Sequence, residues 1–433
     1  MKRTTNRRTR VAAAAVASLF VFAACGSDGD DTDTPDAGGE SSETESAAPE
    51  GDGTLTFGSL LPETGSLAFL GPPEFAGVDL AVQEINEAGG VLGKDVVHVR
   101  GDSGDADSGI APAETDQLIA AGSDVIVGAA SSGVSLTVID AIQAAGRVMF
   151  SPANTSTAFD EGDYAEPDLY FRTAPSDILQ GAVMANLLIQ DGKSNVAILS
   201  RQDAYGETLV EQVTQNLEGA GSSVAATVFY GENAQSFDSQ VDEIAAAGGD
   251  ALVLIGFEET ATIIPQLITA GAGPQDIDTY FVDGNTADYS PAGSTPLPRG
   301  TLEGTKGTIP GADSGGEFQD RLLEIDPELD SFAYAAESYD AVIVSALAAV
   351  AAESDNAEAL ALEIPGVTEG GEKCTDFASC VELLEAGEDI DFDGASGPIE
   401  LGETGSPTAA SIGIYEYDAK NQIAPVEYIE GQI

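Results

Sequence analysis

The chain has 433 residues and a formal net charge of −58 at pH 7, because 16 Lys and Arg residues face 74 Asp and Glu residues. This balance excludes ordinary nucleic-acid binding, since a phosphate backbone is held by clustered Lys and Arg. The only histidine, His98, argues against most triad hydrolases and most zinc sites. The length is sufficient for two compact units, each with its own core.

The N-terminus combines a basic start, an apolar run from Val11 to Phe22 and the sequence Phe-Ala-Ala-Cys ending at Cys25. This pattern predicts a secretion signal over residues 1–24, and the apolar run is too short to span a bilayer as a stable helix. Its end resembles a bacterial lipobox, with Phe22 where leucine is usual. The resemblance implies that Cys25 is acylated; an ordinary cleaved signal with a chance cysteine is the alternative.

Residues 25–53 are predicted to form a disordered tether. From Gly26 to Gly53 the segment contains ten acidic residues and no aliphatic side chain larger than alanine. Such a segment cannot bury enough surface to become ordered, and its charges repel one another. With several acyl chains on Cys25, the protein is predicted to be extracytoplasmic and lipid-anchored to the cell membrane.

From Thr54 onward, short β-branched runs alternate with longer helical patterns, which is typical of parallel α/β architecture. One helix is predicted from the apolar stripe Phe75, Val78, Val82 and Ile85, with its end at Gly89 and Gly90. Alanine-rich helices are expected between residues 314 and 352, and short β runs near Ile399, Ile412 and Val426. The predicted strands are Leu55–Leu61, Val96–Arg100, Val125–Gly128, Val148–Ser151, Val196–Ser200, Val224–Tyr230, Ala251–Gly256 and Thr279–Val282.

The remaining cysteines, Cys374 and Cys380, are predicted to form a local disulfide in an oxidising compartment. The segment from Asp389 to Glu400 matches the calcium-loop expression, but Ser396 and Pro398 disagree with an EF-hand, and calcium binding is left open here. No metal site is otherwise predicted.

Two further motifs do not predict chemistry. Residues 89–95 lack the spacing and the final hydroxyl of a phosphate loop. Ser131 and Ser132 lack the strand-turn-helix pattern of a nucleophile elbow, and no histidine accompanies them. No cofactor and no enzymatic activity are therefore predicted.

In open α/β sheets, ligands bind beyond the carboxyl ends of the strands. Ser131 and Ser132 open a predicted helix, where free N–H groups favour an anion, and Thr155 adds a hydroxyl donor. Asp283 follows a strand of the second series and suits a cation. Apolar walls are expected from Phe69, Leu70, Tyr205, Phe257 and Tyr334. Carboxylate, ammonium and apolar side chain together describe an amino acid, although Ser and Thr after strands are often mere helix caps.

Four segments carry a family resemblance. These are SLLPETGSLAFLGPPEFAGVDLAVQEINEAGGVLG from Ser59, VIVGAASSGVSLTVIDAIQAAGRVMFSPANTS from Val125, LYFRTAPSD from Leu169 and RQDAYGETLVE from Arg201. Together they resemble the branched-chain amino-acid-binding proteins of ABC importers. The resemblance implies a type I periplasmic-binding-protein fold, in which two doubly wound parallel-sheet lobes are joined by a three-strand hinge. Lobe 1 is expected over residues 54–173 and 306–385, and lobe 2 over residues 174–305 and 386–433.

The resemblance also implies roles for single residues. Ser132 and Thr155 are expected on the ligand carboxylate, the Ala153 carbonyl on the ammonium, and Asp283 as the salt-bridge partner of that ammonium. Leu70 lies where leucine-binding relatives have tyrosine, and Phe257 replaces a tyrosine-containing stretch, which leaves the preferred ligand side chain open.

The expected function is capture of an amino acid, branched-chain or otherwise apolar, and its delivery to the membrane permease and ATPase subunits of an importer. The alternatives are a sensing module of the same fold, a binding protein for urea, short amides or aromatic acids, and a lipid-anchored enzyme or calcium-dependent adhesion protein.

Overall fold

The computed structural model describes residues 51–161, 164 and 169–433. The predicted signal, the acylation site Cys25 and residues 25–50 of the tether lie outside the described residues.

The first sheet contains five parallel strands in the order β2-β1-β3-β4-β5. Their central strands are buried along their whole length, as expected for a parallel sheet covered on both faces. The strands are β1 (Thr56–Leu61), β2 (Val97–Asp102), β3 (Val125–Gly128), β4 (Val148–Ser151) and β5 (Tyr170–Arg172).

Two helical layers enclose this sheet. The smaller layer packs its aliphatic residues on one face and consists of α2 (Ile110–Ala120) and α3 (Ser132–Ala144). The larger layer shares one apolar core with the other face and consists of α1 (Gly71–Glu87), α8 (Gly315–Ile325), α9 (Ala335–Ala352), α10 (Ala357–Glu363) and α11 (Phe377–Ala386).

The second sheet has seven strands in the order β15-β14-β10-β9-β8-β6-β7. Five strands are parallel, and β14 and β15 add an antiparallel edge. The strands are β6 (Asn195–Arg201), β7 (Ser223–Tyr230), β8 (Ala251–Ile255), β9 (Asp278–Phe281), β10 (Lys306–Pro310), β14 (Ala409–Tyr417) and β15 (Ile423–Gln432). Its two covering layers are α4 (Asp177–Gln190) with α5 (Ala204–Gly219), and α6 (Asp238–Ala247) with α7 (Thr260–Ala270).

The eight strands predicted from the sequence all occur, with ends within two residues of the predicted ones. The predicted helix around Phe75 is α1, which ends just before Gly89 and Gly90, both at positive φ. Short β5 was not predicted, because three residues carry too little alternation to be recognised.

Two predicted lobe boundaries differ from the structure. Strand β10, placed in lobe 1 by the sequence, pairs with β9 and β14 in the second sheet. Conversely Ile390, Phe392, Ile399 and Leu401, placed in lobe 2, fill the apolar core of the first sheet. The chain therefore passes between the two units at two points that both lie later in the sequence than expected. Strand pairing and apolar packing, rather than the start of the next helix, decide to which unit each segment belongs.

The disulfide and the calcium-like segment belong to a small three-stranded sheet beside the first unit. Cys374 and Cys380 are joined by a disulfide between β11 (Glu372–Cys374) and α11. The calcium-like segment forms the hairpin of β12 (Ile390–Gly394) and β13 (Gly397–Pro398), and Lys373 pairs with Asp391 and Asp393. These carboxylates thus have a protein cation, and among the described residues no group of three metal-ligating side chains occurs.

Two other residues have structural roles. His98 lies between the Ser59 hydroxyl and the Asp79 carboxylate, each 2.8 Å from a ring nitrogen, as expected for a histidine inside a strand. Helix α9 is the one described helix long and apolar enough to cross a membrane, but 83% of that stretch is buried. It is the central core helix of the first unit.

Candidate ligand-binding site

Loops at the carboxyl ends of strands from both sheets meet around a small cavity. Eight of the ten residues predicted for the site line it, and the two others, Phe69 and Thr155, lie beside it. The sequence interpretation missed Leu67, Ala130 and Gly284. The predicted lining residues are Leu70, Ser131, Ser132, Ala153, Tyr205, Phe257, Asp283 and Tyr334.

The first-sheet side offers hydrogen-bond donors. Ser131 caps α3, since its hydroxyl accepts from the Val134 N–H at 3.5 Å. Ser132 begins the helix, and its hydroxyl accepts from the Ser156 N–H at 3.3 Å, while its own hydrogen is not used in a bond to any described residue. A helix N-terminus with a free hydroxyl hydrogen favours an anion. The two adjacent serines therefore differ: one caps the helix and the other can face a ligand.

Thr155 and Ala153 complete this side. Thr155 is 1% exposed, and its hydroxyl makes no well-formed hydrogen bond to a described residue, although it lies close enough to the Asp177 carboxyl to lower its pKa. The carbonyl oxygen of Ala153 accepts no hydrogen bond from the described residues and borders the cavity. The loop thus presents one carbonyl that accepts from no described residue, and one hydroxyl that lies beside the Asp177 carboxyl without a well-formed bond to it.

Two buried residues, which the sequence interpretation missed, hold these loops in place. Asn154 donates to the carbonyls of Ala129 and Ala130, both at 3.0 Å, and so ties the loop after β4 to the loop after β3. Arg172 is fully buried and donates to the carbonyls of Asn154 and Ser156, also at 3.0 Å. The sequence signals that would have identified them are an asparagine between two predicted ligand residues and an arginine directly after the apolar run Leu169–Phe171.

The second-sheet side offers one buried carboxylate. Asp283 accepts hydrogen bonds from the hydroxyls of Tyr205 at 2.6 Å and Tyr334 at 2.8 Å, and from the Gln180 amide at 2.8 Å. Gln180 was missed, although a polar residue on the apolar face of α4 is a recognisable signal. No Lys, Arg or His of the described chain forms an ion pair with Asp283.

Burial raises the pKa of Asp283, and its three hydrogen-bond donors oppose this shift. A second acid, Asp177, is fully buried nearby, and burial together with the charge of Asp283 raises its pKa to about 7. Buried carboxylates are normally paired with a cation. Asp283 is therefore organised by neutral donors and oriented to receive a cation from outside the protein.

Aromatic side chains form the walls. Tyr205 and Phe257 stack with their ring centroids 5.5 Å apart, and the Arg201 guanidinium lies 3.5 Å from the Phe257 centroid. Arg201 is itself held by Asp203 at 2.5 Å and Glu259 at 3.1 Å. Tyr334 has φ of +58°, in the left-handed region that non-glycine residues seldom adopt. The walls are thus fixed by stacking, ion pairs and an unusual backbone position.

The cavity has a volume of about 10 Å³, room for about one water molecule. Direct hydrogen bonds join its two sides, from the Glu258 N–H to the Ser66 carbonyl at 3.2 Å and from the Ser156 hydroxyl to the Ala204 carbonyl at 3.0 Å. A ligand larger than water enters only when the two sides separate and these bonds break.

Comparisons with known proteins cover most of the chain. A family model described as periplasmic binding protein matches residues 54–422. A chemotactic signal transduction system substrate-binding protein, BasB of Halobacterium salinarum, is 29% identical over 359 residues, which are 80% of this chain and 83% of that protein. The Leu/Ile/Val-binding protein BraC3 of Rhizobium johnstonii is 25% identical over 380 residues, 87% of this chain and 95% of that protein.

Solved structures share the fold. The branched-chain amino acid transporter substrate-binding protein LivJ of Streptococcus pneumoniae, in complex with isoleucine, aligns with a TM-score of 0.68 and 19% identity over 87% of this chain and 100% of that chain. A solute-binding protein of an ABC transporter from R. palustris, in complex with 4-hydroxybenzoate, aligns with a TM-score of 0.71 and 17% identity over 88% and 98%. At these identities the likeness establishes the type I periplasmic-binding fold, and the ligand must be argued from the site.

Proposed function

The chain belongs to the periplasmic-binding-protein family, a family of extracytoplasmic solute-binding proteins, and we propose that it captures an amino acid between its two units and delivers it to the permease of an ABC importer. The proposed ligand is branched-chain or otherwise apolar. This finer assignment rests on the chemistry of the cavity.

The observation that carries the proposal is that one small cavity has acceptors for a cation and donors for an anion close together. Asp283, with three neutral donors and no protein cation, suits an ammonium, and the free carbonyl of Ala153 adds a second acceptor. The Ser132 hydroxyl, the Thr155 hydroxyl and the start of α3 suit a carboxylate. An α-amino acid carries both groups on one carbon, and therefore satisfies both sides together.

Capture then proceeds by closure. Ligand contacts made by both units at once stabilise the closed state, because the ammonium is held by Asp283 of one unit and the Ala153 carbonyl of the other, while the carboxylate donors belong to the first unit alone. The hydrogen bonds between Ser66 and Glu258 and between Ser156 and Ala204 close the entrance. Leu67, Leu70, Tyr205 and Phe257 provide an apolar surface for the ligand side chain.

Calorimetric titration of the purified, ligand-stripped protein tests this function. Leucine, isoleucine and valine are compared with the other standard amino acids, and with urea, short amides and 4-hydroxybenzoate. Saturable binding of an apolar amino acid, with no heat from its amide or its deaminated acid, is expected. Binding of an aromatic acid alone would refute the assigned role of Asp283, since a carboxylate ligand gains nothing from a second carboxylate.

We also propose that acylated Cys25 anchors the protein to the membrane. Cys25→Ser protein should appear in the culture medium with unchanged ligand affinity. A Cys25→Ser protein that remains in the membrane fraction would refute the anchor.

A sensing role is the second candidate, because the relative in H. salinarum is named for chemotactic signal transduction. Uptake of the radiolabelled ligand in cells lacking this gene separates the two. Lost uptake supports transport, whereas normal uptake with lost chemotactic response supports sensing.

A further inference from the structure

A second, much larger cleft adjoins the small cavity. Its volume is about 930 Å³, and Phe257 and Tyr334 line both spaces. The cleft extends from these two residues along the segment that follows β10 and along the sheet edge formed by β14 and β15. None of the contacts proposed for the amino acid uses this space beyond the shared aromatic walls.

The lining of the large cleft is aromatic and acidic. Seven of its 32 lining residues are aromatic, although aromatic residues make up only 6% of the chain. Phe69, Phe332, Tyr415 and Tyr428 are among them. Acidic residues alone would carry little weight in a chain of this charge, and the aromatic enrichment is the more specific feature. Aromatic faces attract organic cations.

One carboxylate of the cleft, that of Glu337, is buried, and its only donor among the described residues is its own backbone. Glu337 is 3% exposed, and no other described residue donates a hydrogen bond or an ion pair to its carboxylate. Gly311 faces it so closely that a Cβ at that position would lie 2.6 Å from a Glu337 carboxylate oxygen. The glycine therefore keeps the space in front of this carboxylate open to the cleft.

A second buried acid lies behind the first. Glu74 on α1 is fully buried, and neither of its carboxylate oxygens has a hydrogen-bond partner among the described residues. Burial and the charge of Glu337 raise the pKa of Glu74. Buried polar groups are normally satisfied, and two neighbouring buried acids to which no other described residue donates require a specific explanation.

We propose that the large cleft is a second binding site, that its ligand is an organic cation with an ammonium group on an apolar or aromatic frame, and that Glu337 holds the ammonium. Phe332, Tyr415 and Tyr428 would cover the frame, in the way that aromatic cages hold alkylammonium groups.

Phenethylammonium chloride is a suitable probe, titrated calorimetrically into the full chain. Its controls are sodium chloride at the same concentration, which matches the ionic strength, and 2-phenylethanol, which has nearly the same frame without charge. One saturable site per chain is expected for the amine only. Equal binding of the neutral alcohol, or no saturable binding of the amine, would overturn the proposal.

Isosteric variants locate the site. Glu337→Gln should weaken phenethylammonium binding by about tenfold or more, because it removes the charge and keeps the shape. The matched control, Glu358→Gln on exposed α10, should leave the affinity within about twofold. Undiminished binding by a folded Glu337→Gln protein would overturn the proposal.

Two further variants make the result independent of the folding of Glu337→Gln. Phe332→Leu should weaken phenethylammonium binding severalfold although Glu337 is retained, because a cation–π contact is lost. Asp283→Asn should leave the affinity for phenethylammonium unchanged, even though it should abolish amino-acid capture. Loss of phenethylammonium binding in Asp283→Asn alone would place the cation in the small cavity and refute the second site, without affecting the proposed function.

Discussion

The two neighbouring spaces of this protein are each built around one buried carboxylate, yet the carboxylates are supported differently. Asp283, in the small cavity, accepts three hydrogen bonds from neutral groups. Glu337, in the large cleft, accepts none from any other described residue, and Glu74 lies behind it with both oxygens unsatisfied. Three donors stabilise a charge in place before a ligand arrives. Glu337, whose only donor is its own backbone, stays ionised only at a cost, unless a proton or a cation reaches it.

This contrast suggests different tasks for the two spaces. A preorganised carboxylate loses little on binding an ammonium, so that the small cavity is suited to tight and selective capture. An unsupported carboxylate gains more from a cation but must first be ionised. Binding in the large cleft is therefore expected to depend more on pH than binding in the small cavity.

The largest expected effect comes from Asp283→Ala. Removing one partner of a buried ion pair costs roughly 3 to 5 kcal/mol, or on the order of a hundred- to several-thousand-fold in amino-acid affinity. Calorimetry measures it. Asp276→Ala on the surface of the same unit is the matched control and should bind normally. Unchanged affinity in Asp283→Ala would remove this residue from the site and end the comparison.

The sequence predicted much of this arrangement because strand ends are local features. Ser132, Ala153 and Asp283 each follow a recognisable strand, and the topology of parallel sheets brings such positions together. Gln180 and Glu337 lie inside helices instead, and only three-dimensional packing shows that Gln180 reaches Asp283 and that Glu337 lines the large cleft. The larger cleft could not be predicted, since it is formed by segments from 66 to 428 with no shared motif.

The lobe boundaries illustrate the same limit. Helix and strand patterns locate elements, but the assignment of β10 to the second sheet depends on its pairing with distant β14. The two large sheets define two units, and the points at which the chain passes between them follow from hydrogen bonding between residues far apart in the chain.

Ser132→Ala is expected to have the next largest effect on amino-acid affinity. It removes a cavity-lining hydroxyl that donates to no described residue, and hydrogen bonds to charged groups contribute roughly 1.5 to 3 kcal/mol, about 10- to 100-fold in affinity. Ser131→Ala is the matched control. It loses the cap of α3, and should reduce the free energy of unfolding by about 1 kcal/mol with little effect on affinity. Equal affinity losses in the two variants would contradict the division of roles between the serines.

Glu337→Gln tests the other carboxylate through the pH dependence of stability. Burial raises the pKa of Glu337 from an ordinary 4.5 to about 8. Between these values the folded state keeps a proton that the unfolded state has lost, so the free energy of unfolding falls as pH rises, and the loss is complete above the folded pKa.

Glutamine cannot ionise, and the variant should therefore match the parent near pH 5 but exceed it near pH 9, by up to about 4 kcal/mol. Urea denaturation at both pH values measures this difference. Glu74 and Asp340, whose pKa burial raises to about 6, face the same region and remain in both proteins. The charge of Glu337 helps to raise the pKa of Glu74, so the measured difference includes the relief of that repulsion as well as the loss of the Glu337 proton. Parallel curves for the two proteins would contradict the unsupported state of Glu337.

The smallest effect is expected from Tyr205→Phe, which keeps the stack on Phe257 but removes the 2.6 Å hydrogen bond to Asp283. Losing one neutral donor costs roughly 0.5 to 1.5 kcal/mol, a few-fold in amino-acid affinity.

The direction in which Tyr205→Phe shifts the pH dependence of binding is more informative. The Tyr205 hydroxyl lowers the pKa of Asp283, so its removal raises that pKa further. Asp283, the partner of the ligand ammonium, is then protonated and loses its charge at a higher pH. Amino-acid affinity measured across the acid range should therefore fall at a higher pH in Tyr205→Phe than in the parent. An unshifted acid limb, with affinity lowered equally at every pH, would mean that the three donors position Asp283 without keeping it ionised, and the contrast with Glu337 would then rest on geometry alone.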